Sequence, residues 1–152
     1  MDYSHDDTEL IKQPVGYWTW AAAEAVVTRT RAALGQIGLT QPQWWILNRL
    51  AGGEGDGTRG ELTRVLSGYL AVGDAGIGAE IDMAVARGWV TETAGDEVAL
   101  TEEGRTLQAR AAALQDDLWK ERHAGISDDE YLVTVKVLQR LIHNTGGRAW
   151  HH

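Results

Sequence analysis

The sequence predicts a mainly α-helical chain with one small β-hairpin, and three observations carry that prediction. Apolar residues recur every three to four positions through much of the 152 residues, as amphipathic helices require. Hydroxyl residues able to cap a helix stand ahead of those runs. Three of them form a capping box with a Glu or Gln three positions on: Thr40 with Gln43, Thr58 with Glu61, and Ser127 with Glu130. In such a box each side chain satisfies a backbone N–H that the helix start leaves orphaned. Finally, residues 89–93 (WVTET) and 97–100 (EVAL) read as strands around the turn Ala94-Gly95-Asp96.

Residues 1–13 are polar and read as a loose arm. Pro14 marks a helix entry. From residue 15 to about 35, Trp18, Ala22, Ala25, Val26, Ala33 and Leu34 keep helical spacing, which fits a core helix of a monomer or one strand of a helical dimer seam; 14–38 is assigned to the second, as an N-terminal dimerisation helix. Gly35 and Gly38 break the pattern, and Thr40 with Gln43 opens the next helix. Pro42 sits in its first turn, where a missing N–H costs nothing. Trp45, Ile46 and Leu50 supply its apolar face. A glycine-rich, acidic loop over 52–57 follows.

The helix opened by Thr58 carries Leu62, Val65, Leu66 and Tyr69 at helical spacing. Turn material at Gly68 and Gly73 leads to a helix with Ile77, Ile81, Ala84 and Val85 on one face, ended by Gly88 as a left-handed cap. With the hairpin, these two helices make a winged helix-turn-helix domain over 39–104, whose second helix is the one that enters a DNA major groove. Thr101, followed by Glu102 and Glu103, caps a long helix with Leu107, Ala111, Leu114 and Leu118 at coiled-coil spacing. A last helix repeats that spacing in Tyr131, Val135, Leu138 and Ile142. Residues 105–152 are therefore read as C-terminal dimerisation helices. Neither flank has neighbours enough for a full apolar stripe, and a two-fold homodimer is the commonest remedy.

Charge opposes the architecture. Residues 54–104 hold eleven Asp or Glu against Arg59, Arg64 and Arg87, a net of −8, which equals the net charge of the whole chain. Phosphate contacts by Lys and Arg supply most non-specific DNA affinity. The chain has no cysteine, hence no disulfide, thiolate catalysis or Cys-based zinc site. No nucleophile elbow, phosphate-cradling loop or zinc-protease spacing is present, so no enzyme and no cofactor is expected. His143, His151 and His152 lack metal-site spacing. No segment is apolar for the roughly 18 residues of a membrane span, and a cytoplasmic location is expected. Trp18, Trp20, Trp44 and Trp45, with Tyr17, could line an aromatic pocket, with Arg29 or Arg49 meeting a ligand carboxylate. Tryptophan at helical spacing is also ordinary core.

Taken in order, Leu39-Thr40-Gln41-Pro42-Gln43, Gly60-Glu61-Leu62, Ala86-Arg87-Gly88-Trp89-Val90, Leu100-Thr101-Glu102-Glu103-Gly104 and residues 125–130 (GISDDE) resemble the MarR family of bacterial winged-helix regulators. The resemblance covers nearly the whole chain. It implies a homodimer with braided termini on pseudo-palindromic duplex DNA, recognition helices about 34 Å apart, and release of DNA by an anionic aromatic ligand. Thr58, Arg59, Arg64 and Arg87 would then flank or hold the backbone, while Gly76, Ala79, Glu80 and Met83 would face the bases. The family's wing usually carries Asp-x-Arg, whereas Thr93-Ala94-Gly95-Asp96-Glu97 has no basic residue. The alternative is a MarR-like dimer without DNA binding, acting as an acidic protein-interaction or small-ligand module.

Overall fold

The computed structural model describes residues 2–53, 57–67 and 73–148. Gly68, Tyr69, His151 and His152, used above, lie outside the described residues. The elements are α1 (Asp7–Leu10), α2 (Val15–Gln36), α3 (Gln41–Gly52), α4 (Arg59–Leu66), α5 (Gly73–Ala86), β1 (Val90–Glu92), β2 (Val98–Leu100), α6 (Glu102–Arg122) and α7 (Asp128–Asn144).

Local chemistry sets most of these boundaries. The boxes at Thr40/Gln43 and Ser127/Glu130 both close as predicted. At Thr58 the hydroxyl half forms, accepting from the Glu61 N–H at 3.2 Å. The Glu61 carboxylate faces arginines instead, Arg64 at 2.7 Å and Arg49 at 3.7 Å. Gly88 ends α5 at φ +73°. The Trp89 N–H reaches the Ala84 carbonyl and the Gly88 N–H reaches Val85, the pair of bonds that defines a Schellman end. The hairpin pairs Val90 with Leu100 and Glu92 with Val98. Its three-residue loop closes with Asp96 at φ +60°, the left-handed residue that such loops require.

Helix α3 is the hub, packed against α2, α4, α5, α6 and β2. Ile46 and Leu47 of α3, Leu62 and Leu66 of α4, and Ile77 and Ile81 of α5 form one buried core with Val90 and Val98 of the wing. Helix α6 seals it through Ala111, and its start lies directly on the wing. A Cβ on Gly104 would stand 1.9 Å from the Trp89 carbonyl oxygen, so only glycine permits that approach.

Two outcomes differ from the expectations. The N-terminal arm is not wholly irregular, because Asp6 caps the single turn α1 by accepting from the Glu9 N–H at 3.0 Å. Helix α6 needs no second chain for its stripe. Ala111 and Leu118 are buried within the protomer, where α6 packs on α2 and α3. The uncovered apolar surface belongs to α7, which has no buried residue, and to the first half of α2. Leu132 and Val133 are 49% and 59% exposed, and Tyr17 and Trp20 are 56% and 60% exposed.

Candidate nucleic-acid interface and ligand cavity

The helix that the layout offers to DNA is α5, flanked by α4 and the wing. Ile77, Ile81 and Ala84 turn into the core, so the outward positions of its second half are Ala79, Asp82, Met83 and Ala86. Gly76 is half-buried. Glu80 departs from its expected place: it is half-buried, and its carboxylate accepts from the Gln43 side-chain amide at 2.7 Å. Gln43 is 1% exposed, and its own carbonyl oxygen accepts the Thr40 N–H at 3.0 Å. Glu80 is therefore a strut from α5 to the start of α3. The carboxylate on the outer face is Asp82, with 71% of its side chain exposed.

Arg59 is engaged inside the protomer. Its Nε and Nη2 donate to the two oxygens of Glu92, each at 2.6 Å, Nη2 also reaches Asp82 at 2.7 Å, and Nη1 donates to the Gly78 carbonyl at 3.3 Å. One guanidinium thus ties the start of α4 to α5 and to β1. The hydrogen bonds to Glu92, followed by those to Asp82, push the Arg59 pKa up. The same contact holds the Glu92 carboxyl below its ordinary value. Arg87 turns to the other end of the domain: it donates to the Gly38 carbonyl at 3.0 Å and lies 4.9 Å over the Trp89 ring. Of the three arginines between residues 54 and 104, Arg64 is the one on α4 with an exposed side chain, at 72% exposure and paired with Glu61. It borders an open groove with Thr63, Ser67 and Gly60. Thr58 holds the helix start, as described above.

A second concavity of about 540 Å³ lies between α2, α3, the end of α6 and the start of α7. Trp44 and Trp45 line it. Trp18 and Trp20 are not among its walls. They pack with Tyr17 on the exposed start of α2, at centroid separations of 5.4 and 6.3 Å. Arg49 borders a different cleft, beside Glu61 and β2. Arg29 is held by Glu121 through two bonds of 2.8 and 2.9 Å. The aromatic wall that sequence reading missed is Trp119, His123 and Tyr131. The His123 ring stacks on Trp119 at 4.0 Å and meets Tyr131 edge-on at 4.6 Å. Its signal was the i, i+4 spacing of Trp119 and His123, which puts both rings on one helix face.

Helix-turn-helix, two-stranded wing and long helices on both sides define a winged-helix protein with helical extensions. More narrowly, the fold is that of the MarR-family regulators. The organohalide-sensing transcriptional regulator RdhR-CbdbA1625, in its ligand-free form, superposes with a TM-score of 0.69 at 16% identity, over 95% of this chain and 89% of that one. CouR from Rhodococcus jostii RHA1, bound to p-coumaroyl-CoA, gives 0.69 at 22% identity, over 86% and 92%. The Mycobacterium tuberculosis MarR family protein Rv2887, in complex with DNA, gives 0.65 at 22% identity, over 85% and 98%. No protein-family model and no curated protein matches the sequence.

Proposed function

We propose that this chain is a homodimeric, ligand-responsive transcriptional regulator of MarR type that meets duplex DNA through α5, Arg64 and the wing. The fold carries the reading, since similar structures include one in complex with DNA and one bound to p-coumaroyl-CoA. The dimer part rests on α7 and the start of α2, whose apolar side chains a single chain leaves open. The cavity walled by Trp44, Trp45 and Trp119 is the place for a ligand.

The test is fluorescence anisotropy with a duplex from the chain's own upstream region beside a scrambled one, titrated between about 50 and 200 mM salt. With Arg64 as the one arginine assigned to the DNA-facing side of each winged helix, a dimer neutralises about two phosphates. The expected slope of log K against log salt is then about −2, far shallower than that of a strongly basic binder. Selective binding supports a regulator that reads DNA with little phosphate attraction.

One observation favours a second reading. The outer face of α5 offers Ala79, Asp82 and Met83, Arg59 is engaged internally, and the wing loop has no cation. Such a module repels phosphate and suits a basic protein partner. Absence of duplex binding at 50 mM salt, across a genome-wide selection as well, selects this reading over the first.

A further inference from the structure

The open groove beside the start of α4 holds two arginines in unlike states. Arg59, Arg64, Thr63 and Ser67 line it together with Gly60 and Asp96. Two cations and two hydroxyls along one helix are donors of the kind a nucleic-acid backbone takes. Arg64 is exposed, whereas only 28% of the Arg59 side chain is. A guanidinium has five N–H donors. Of those on Arg59, Glu92 takes two, from Nε and Nη2, and the Gly78 carbonyl takes one from Nη1. Asp82 takes the second N–H of Nη2 at 2.7 Å. The two-pronged, part-buried contact with Glu92 ties α4 to β1 without help from Asp82. The Asp82 carboxylate reaches Arg59 from the outward face of α5 and is largely exposed, so its bond adds little stability. Its electrical effect is larger. One cation against two carboxylates leaves a net charge of −1 where Arg59 meets the groove.

We propose that Asp82 is a positioning residue that sets DNA specificity by withholding Arg59 from the phosphate backbone. Phosphate contacts strengthen binding to every duplex alike and carry no sequence information. By occupying an N–H of Arg59 and cancelling its charge, Asp82 removes one such contact from each protomer. Affinity for unrelated DNA falls, and discrimination is left to the groups that meet base edges. Asp82 does this without touching a base itself. The inference rests on the DNA-binding part of the proposed function and deepens it, since the winged helix then holds a second backbone cation in reserve beside Arg64.

The test is fluorescence anisotropy of the full chain and of Asp82→Ala with the scrambled duplex, over the same salt range. Asp82→Ala is expected to bind more tightly, with a slope of log K against log salt steeper by about 1–2. The added phosphate contact in each protomer counts in part, because Glu92 keeps the other edge of the guanidinium. The advantage over the parent then shrinks about four- to sixteenfold between about 50 and 200 mM salt. Glu97→Gln removes one negative charge from the exposed wing loop and leaves the bonds of Arg59 in place, so its slope should stay near that of the parent. Asp82→Ala combined with Arg59→Gln should lose the added slope. An unchanged slope in Asp82→Ala, a change that Glu97→Gln reproduces, or binding of no duplex by either protein overturns the inference. The comparison of the two single variants stands whether or not the double variant folds. Selective binding by the parent with no change in Asp82→Ala overturns the inference and leaves the regulator standing. A parent that binds no duplex, beside an Asp82→Ala that does, supports the inference and tells against the regulator.

Discussion

The closest approach between helix and wing gives the sharpest prediction. In Gly104→Ala the new Cβ meets the Trp89 oxygen at 1.9 Å, the Trp89 carbonyl carbon at 2.9 Å and a Leu100 methyl at 3.3 Å. Reaching 3.0 Å, below which real Cβ contacts essentially never fall, requires about 1.1 Å of movement. Backbone is on both sides of the clash, so no flexible side chain absorbs it. The displaced Trp89 oxygen accepts the Thr101 N–H at 3.0 Å and the Thr101 hydroxyl at 3.1 Å, and both bonds weaken by roughly 1 kcal/mol each. Overpacking adds about 1–3 kcal/mol, and the better helix propensity of alanine returns about 1 kcal/mol. The expected net loss is about 3 kcal/mol, or a midpoint about 6–12 °C lower for a chain of this size. Thermal and urea melts at one fixed protein concentration measure it. Gly35→Ala, with nothing within 4 Å of its Cβ, serves as the control and should match or slightly exceed the parent. A Gly104→Ala midpoint equal to that of the parent would refute the docking of α6 on the wing.

Other perturbations probe the internal ties. Arg59 holds the Glu92 carboxyl below its ordinary 4.5, so Glu92 contributes stability above that value and loses it as pH falls through its lower folded value. Acid melts of Glu92→Gln should therefore show a shallower decline below pH 4.5 than the parent, while Glu121 and Glu130, also held low by their hydrogen bonds, keep part of the slope. Glu80→Ala leaves the Gln43 amide N–H unpaired in a buried site and should cost about 1–2 kcal/mol in urea melts. Glu80→Gln keeps an acceptor there and should recover most of it. For the proposed dimer, sedimentation velocity should show two copies, and Leu132→Glu, at a position 49% exposed in one chain, should shift the population to monomer with its circular dichroism unchanged.

What the sequence disclosed follows from how far its interactions reach along the chain. The caps at Thr40, Ser127 and Thr101 were legible because each joins residues three apart. So was Gly88, whose left-handed conformation follows from its place after the Ile77/Ile81/Ala84 stripe. Glu80 was placed on the outer face, although it follows Ile77 by three and precedes Ala84 by four, a spacing that sets it beside the buried stripe. Asp82 takes the outer position instead. The role of Arg59 had no local signal, since its partners Glu92 and Asp82 lie 33 and 23 residues away. The cavity wall was half legible. Trp44 and Trp45 open a helix that must pack, whereas Trp119, His123 and Tyr131 converge only because α7 turns back beside the end of α6. Trp18 and Trp20 read as pocket or core and occupy neither within one protomer.

The Arg59 bridge also constrains how the winged helix can respond to a signal. By fastening α4, α5 and β1 through one side chain, it makes α5 and the wing a single block, with Glu80 bolting that block to the start of α3. Reshaping either part separately means breaking charged bonds to Glu92 and Asp82 together. Motion therefore passes through the joints with α2 and α6, and in a dimer it changes the separation and tilt of two preset blocks. In the proposed regulator, a ligand beside Trp44 would sit one residue along α3 from Gln43, which holds the strut. On the proposed reading, such a ligand would adjust the spacing between two unchanged blocks.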